Sequence, residues 1–176
     1  MKNKAMQARL TEEIVGFLRS RRSLQLASLG EDGVPFASYA PYAIDANSFY
    51  VLLSDIASHG LNLRREPRAS VLVIEDEDSA GELFARVRVS YEIRAEELAV
   101  GTAEWQQALE ELVQRHGERP RNLSQLSDFR LFRLRPVKGR YVKGFGKAYS
   151  LGGDTLGAER VDHLREGHKP RSTAVI

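Results

Sequence analysis

Three short strand-like segments follow one another near the start of the chain, and only a few residues connect them. Residues 24–29, 35–43 and 49–53 are rich in apolar and β-forming side chains. Gly30–Gly33 and Asp45–Ser48 separate these segments and have the composition of turns. Connections this short join strands that are neighbours and run in opposite directions. The sequence therefore predicts an antiparallel β-meander and disfavours a fold of alternating βαβ units.

The rest of the chain alternates between helical and strand-like patterns. Thr11 is predicted to cap a first helix, and Pro67 ends a second helix that begins near Ser54. A third, amphipathic helix is predicted from Thr102 to His116. Further strands are predicted at residues 69–74, 83–95, 129–134 and 139–151. Together these elements predict a β-rich α+β fold, a small antiparallel barrel of six to seven strands with peripheral helices.

Composition excludes several classes of protein. With 176 residues the chain fits one domain, and it contains no cysteine for a disulfide, a thiolate metal site or a thiol nucleophile. The absence of cysteine is compatible with a reducing cytosol, and we expect a cytoplasmic protein. The 26 basic and 24 acidic side chains are interspersed, so no nucleic-acid partner is expected. No signal-peptide run and no apolar segment of membrane-spanning length occurs, so no membrane partner is expected either.

The last 19 residues differ from the rest of the chain. We predict a split-barrel domain at residues 1–157 and a polar C-terminal arm at residues 158–176, which carries His163 and His168. A neutral imidazole on such an arm can reach an iron or a phosphate. Alternatively, both histidines belong to a disordered tail and bind no ligand. His59 begins the helix after the third strand, where it either faces a ligand or lies at the surface.

Two arginines stand one strand step apart in the predicted strand at residues 83–95. Arg86 and Arg88 share a face there and could hold a phosphate or a propionate, or simply face solvent. Asp128 follows a predicted turn and could cap it. The serine-nucleophile and phosphate-loop motifs are absent, and Gly144-Phe-Gly146 is interpreted as a bulge or a close backbone contact.

At this point the sequence resembles a known family. Its meander and barrel-closing strands, with Asn62-Leu63 and Pro67-Arg-Ala-Ser-Val71 between them, resemble the FMN-binding split barrel of the pyridoxamine 5′-phosphate oxidase-like superfamily. More narrowly, it is similar to the haem-utilisation HugZ/HutZ proteins in a series of short motifs. These are Leu24-Gln-Leu-Ala27, Ser38-Tyr-Ala-Pro41, Ile74-Glu-Asp-Glu77, Leu83-Phe-Ala-Arg86, Asp128-Phe129, Phe132-Arg-Leu-x-Pro136, Val142-Lys-Gly-Phe-Gly146 and Glu166-Gly-His168.

The resemblance implies a homodimer that binds haem at the subunit interface, opens its macrocycle oxidatively and releases iron for iron acquisition. It assigns His168 as the axial ligand of the haem iron and places Arg88 near the haem, with Arg86 as a further candidate for cofactor binding. It gives His59 and Asp128 roles in proton-linked steps or in hydrogen bonding at the interface. The electron donor is left open.

One segment departs from the flavin-binding pattern. Flavin-using members carry arginine and lysine at the start of the helix after the third strand, where this chain has Ser54-Asp-Ile-Ala-Ser-His59. An aspartate and a histidine would neutralise an FMN phosphate less well, so haem is expected rather than FMN. Two alternatives remain open: an FMN-dependent oxidoreductase and a non-catalytic haem carrier.

Overall fold

The protein is described by a computed structural model, which covers residues 2–165 and 167–171. The described residues form four α-helices and nine β-strands, with short 3₁₀ helices at Glu77–Ser79 and Leu83–Ala85. The helices are α1 (Lys2–Ser20), α2 (Ser58–Arg65), α3 (Ala103–His116) and α4 (Arg119–Ser124). The strands are β1 (Ser23–Leu29), β2 (Pro35–Pro41), β3 (Ala43–Ile44), β4 (Phe49–Ser54), β5 (Arg68–Ile74), β6 (Arg88–Leu98), β7 (Phe129–Gly144), β8 (Lys147–Gly152) and β9 (Arg160–Leu164).

The strands form one antiparallel sheet that divides at β7. The main order is β2-β1-β5-β6-β7-β4-β3, while β8 pairs with β7 and β9 pairs with β8. β7 has 16 residues, so its first part pairs with β4 and its last part pairs with β8 along the same edge. β2 and β3 stand at the two ends of the main order, and Tyr42 alone separates them in the chain, so this residue connects the two ends of the sheet. The predicted fold class, a β-rich split barrel with peripheral helices, is confirmed.

The part of the chain that the structure describes has nine strands rather than the predicted six to seven. The predicted second strand is two strands, because the chain breaks at Tyr42, whose N–H donates to the carbonyl of Arg22. The β1–β2 hairpin of the predicted meander is confirmed, but β4 pairs with the short β3 instead of β2. The ninth strand, β9, lies in the segment predicted to be an arm.

The barrel interior forms the main core, and α1 contributes to it. Ile14 and Leu18 of α1 are fully buried with the inward-facing residues of the strands. Phe49 packs edge-to-face against Tyr42 and against Tyr91, with ring centroids 5.3 and 5.6 Å apart. A second core forms where α3 packs on β4 and β7. Each buried leucine or phenylalanine side chain contributes about 1.5–3 kcal/mol.

Helix α1 begins at Lys2, so the predicted cap at Thr11 is wrong. The Thr11 hydroxyl instead accepts a hydrogen bond from the N–H of Ala158 (2.9 Å) and links α1 to the chain before β9. In α3 the predicted boundary is confirmed: the Thr102 hydroxyl accepts from the N–H of Trp105.

Residues after position 157 are partly joined to the sheet. Ala158 is fully buried and β9 pairs along its length with β8. After β9, Arg165 and residues 167–171 form no helix or strand, while Glu166 and residues 172–176 lie outside the described residues. The division into a domain and an arm stays a prediction. No helix in the described chain combines the length and the apolar character needed to cross a bilayer.

Candidate functional site

His168 lies at the turn between β7 and β8. Its imidazole packs against the ring of Phe145, with centroids 4.9 Å apart and planes inclined by 33°. Phe145 occupies that turn, where Gly146 has a φ of 70°, a conformation that glycine adopts without strain. Both side chains are exposed. An exposed imidazole supported on one side by an aromatic ring can ligate an iron.

His163 occupies a different setting. It lies in β9 opposite Tyr149, and the two rings stack with centroids 4.8 Å apart. Tyr149 in turn stacks on Tyr141 at 6.2 Å. Because it is part of the sheet, His163 has less freedom to reach a ligand than the predicted arm would give it.

Arg86 and Arg88 do not form the predicted fork on one strand face. Residues 83–85 form a 3₁₀ helix, so the strand begins only at Arg88. The Arg86 guanidinium donates through Nε (3.0 Å) and Nη2 to the carbonyl of Glu75, and Nη1 of Arg88 donates to the carbonyl of Arg86 (2.9 Å). Backbone carbonyls are neutral, so these bonds fix both guanidiniums without neutralising their charges.

His59 is the second residue of α2 and lies beside β2. Its Nδ1 is 3.0 Å from the Ser38 hydroxyl. Burial lowers the pKa of the imidazole below its ordinary value of 6.5, so the ring is neutral at neutral pH. Gly60 follows, and a Cβ there would come within 2.4 Å of the Ser54 carbonyl. Glycine therefore lets α2 lie directly against the end of β4.

Asp128 connects the end of β4 to the start of β7. Its carboxylate accepts a hydrogen bond from the Ser54 hydroxyl (2.6 Å), and its carbonyl accepts one from the N–H of Asp55 (2.7 Å). The Asp128 side chain thus contacts Ser54, whereas the His59 side chain contacts Ser38.

A group of four charged residues next to Asp128 was not predicted from the sequence. Asp55 lies 3.0 Å from Arg130 and 3.5 Å from Arg64. Glu97 lies 3.1 Å from Arg64 and 3.7 Å from Arg130. The aspartate that departs from the flavin-binding pattern is therefore a partner for two arginines of its own chain. The unusual acid at this position was the one sequence signal that pointed to the group.

The candidate residues fall into two sets within the chain. Arg88 pairs with Val142 at one end of the β6–β7 ladder, close to the turn that carries Phe145. Asp128 lies beyond the other end, where Leu98 pairs with Leu131. β6 is 11 residues long, which corresponds to about 33 Å of strand. Arg86, Arg88 and His168 therefore lie far along the sheet from Asp128.

Comparisons with known proteins agree on one family. A sequence model described as pyridoxamine 5′-phosphate oxidase matches residues 10–143. The chain is 43% identical over 171 residues to a Vibrio cholerae protein named haem oxygenase HutZ. The aligned region covers 96% of this chain and 95% of that protein.

Two crystal structures extend the similarity to the fold. The first is titled HutZ, the haem storage protein from Vibrio cholerae; it is 41% identical with a TM-score of 0.69, over 72% of this chain and 89% of that one. The second is Campylobacter jejuni ChuZ, 29% identical with a TM-score of 0.79, over 90% of this chain and 64% of that one.

Proposed function

The chain belongs to the pyridoxamine 5′-phosphate oxidase family, and from this premise we propose that it binds haem and degrades it oxidatively, releasing iron. A relative covering almost the whole chain at 43% identity is named a haem oxygenase. Haem supplies the redox chemistry once it is bound, while the protein binds and orients it. An external reductant of unidentified nature provides the electrons.

The observation that carries this proposal is the set of side chains at the Arg88 end of the sheet. An exposed imidazole, His168, lies on the ring of Phe145 at the β7–β8 turn. Nearby along the same end of the sheet, Arg86 and Arg88 are oriented by backbone carbonyls and keep their positive charges. An imidazole suits the iron and guanidiniums suit the propionates. We therefore assign His168 as the iron ligand and both arginines to haem binding.

The second set of residues, His59 and Asp128, supports a homodimer. His59 is neutral and Asp128 is hydrogen-bonded to Ser54, so both suit proton-linked steps, but Asp128 lies at the far end of the β6–β7 ladder. A site that uses both sets needs the second set from another protomer. Large apolar side chains are exposed beside each set: Ile56 at 86% and Phe84 at 92%. Exposed apolar residues of this kind mark interaction surfaces.

FMN is the less suitable ligand. The segment between β4 and α2, where flavin-using members hold the phosphate, carries the carboxylate of Asp55. Arg64 and Arg130, the cations next to it, are already paired with Asp55 and Glu97. A phosphate that entered there would find no free arginine to neutralise it, because both arginines already neutralise the two carboxylates.

A haem carrier is the other candidate, because one similar structure is titled a haem storage protein. A carrier and an oxygenase would share the ligand set and differ only in turnover. We place the reaction in the cytoplasm, where soluble reductants are available.

Haem titration of the purified full-length chain tests the ligand assignment. His168→Ala should shift the haem absorption band and weaken haem binding, because the iron loses its protein ligand. His163→Ala is the matched control and should leave the band in place, since its ring stacks on Tyr149. An unchanged spectrum in His168→Ala would refute the assignment. A parallel FMN titration should give no saturable binding.

A further inference from the structure

A polar cavity of about 300 Å³ opens where α1 leads into β1. Arginines from two parts of the chain line it: Arg21 and Arg22 after α1, and Arg86 before β6. Ser20 and Ser23 contribute to the same lining. The residues come together only in the fold, because more than 60 positions separate Arg22 from Arg86.

The charge in this cavity is only partly balanced. Among the described residues, Asp76 is the one carboxylate in the lining, and it pairs with Arg21 at 2.9 Å. Arg22 is exposed and makes no side-chain hydrogen bond or ion pair with any residue of the described chain. The Arg86 guanidinium is bound by the carbonyl of Glu75, whose own carboxylate accepts from the N–H of Val87. Three guanidiniums thus face one carboxylate.

Five arginines elsewhere in the protein differ from Arg22 and Arg86. Each has a carboxylate oxygen within 3.1 Å of the guanidinium, which balances the charge where it stands. These are Arg64, Arg68, Arg121, Arg130 and Arg135. The cavity is therefore a local excess of oriented positive charge in a chain whose net charge is only +2.

The donors that line the cavity suit an anion. Near the end of α1, the carbonyls of Phe17 and Leu18 are already hydrogen-bonded, to the Ser20 hydroxyl, the N–H of Arg21 and the Tyr42 hydroxyl. Guanidinium and hydroxyl donors together match the oxygens of a tetrahedral dianion.

We propose that this cavity binds a phosphate-type oxyanion, either inorganic phosphate or the phosphate group of a small monoester. The site goes beyond haem binding, since it is built largely from residues that the haem site does not use. Arg21 and Arg22 provide the charge, Arg86 closes the cavity from the β6 side, and the Ser23 hydroxyl donates to a remaining oxygen.

Calorimetric titration of the full-length chain tests the site at constant ionic strength. Inorganic phosphate and glycerol 3-phosphate serve as probes, with chloride as the control anion. We expect saturable binding of at least one phosphate probe. Arg22→Gln should weaken that binding roughly tenfold, because one charge-assisted contact is lost. Arg19→Gln removes an equally exposed arginine of α1 that does not line the cavity, and it should leave binding unchanged.

The two probes separate the possible sources of the anion. Tighter binding of glycerol 3-phosphate indicates a monoester, and equal or tighter binding of inorganic phosphate indicates the free ion. The proposal is overturned if neither probe saturates, or if Arg19→Gln and Arg22→Gln weaken binding equally. It is also overturned if haem displaces phosphate and Arg22→Gln weakens haem binding to the same extent, because the cavity would then hold a haem carboxylate. Failure of the phosphate titration leaves the haem titration unaffected, so the two proposals are tested separately.

Discussion

At the scale of single residues, burial determines the charge of His59, the histidine that we propose for proton-linked steps. His59 is half-buried beside Ser38, and this environment lowers the pKa of its imidazole. A neutral ring at neutral pH can accept a proton, whereas a protonated ring cannot. The same burial also gives His59 a measurable effect on stability.

The free energy of unfolding should fall as the pH drops below about 6.5, the ordinary pKa of histidine. In that range the unfolded chain takes up a proton at residue 59 while the folded protein does not, so protons favour unfolding. The fall ends below the folded pKa, where both states are protonated. Urea unfolding between pH 5 and 8 should show a smaller fall for His59→Gln than for the wild type. Identical pH dependences would contradict a lowered pKa.

At the scale of elements, β7 gives the barrel its shape. Its 16 residues pair with β6 throughout most of their length and with β4 and β8 on the other side. Gly139 lies opposite Tyr91, where a Cβ would come within 2.7 Å of the tyrosine ring and 2.9 Å of the Ser90 carbonyl. The Tyr91 hydroxyl donates to the carbonyl of Leu156 (2.6 Å), which leaves the ring little room to move.

Gly139→Ala should therefore destabilise the fold by about 1–3 kcal/mol, the usual cost of overpacking a well-packed core. Gly144→Ala in the same strand is the control, because the nearest atom to its Cβ is a flexible Lys147 carbon at 3.9 Å. The control should change stability by much less. Chemical denaturation of both variants checks the difference, and equal losses would show that Tyr91 does not confine residue 139.

Local sequence signals predicted the elements that depend on local structure. The β1–β2 hairpin followed from a short turn, and α3 followed from its apolar periodicity and the cap at Thr102. Elements that depend on distant partners were predicted less well. Strand β9 forms because β8 is available to pair with it, and Thr11 accepts from Ala158 across 147 positions of sequence.

The candidate site shows the same limit. Motif similarity selected His168, Arg88, His59 and Asp128 one by one, but the sequence does not reveal how far apart they lie. That separation follows from the register of β6 with β7, which joins residues that are 54 positions apart at Arg88 and 33 positions apart at Leu98. The pairing of Asp55 with two arginines likewise depends on strand and helix placement that no local pattern encodes.

At the scale of the whole molecule, the positions of the two sets of candidate residues support the proposed homodimer. Arg88 and His168 belong to one end of the sheet and Asp128 to the other, so a two-fold assembly that pairs unlike ends would make two composite sites. Ile56 and Phe84, exposed beside the two ends, would be buried by such an assembly.

Mixed assemblies test this arrangement. Chains carrying His168→Ala and chains carrying Asp128→Asn should each be nearly inactive alone. A random mixture should recover roughly a quarter of wild-type activity, because half of the dimers then contain one intact site out of two. No recovery in a mixture shown to contain heterodimers would place each site within a single protomer.

Turnover of bound haem tests the central claim most directly. The haem complex of the full-length chain is mixed with a reductant in air, while the haem absorption band and chelatable iron are followed together. We predict that the band decays as iron appears, and that His168→Ala slows both changes by roughly tenfold or more, the range seen when groups around a metal are removed. A wild-type complex that keeps its haem and releases no iron would contradict the account and identify a carrier.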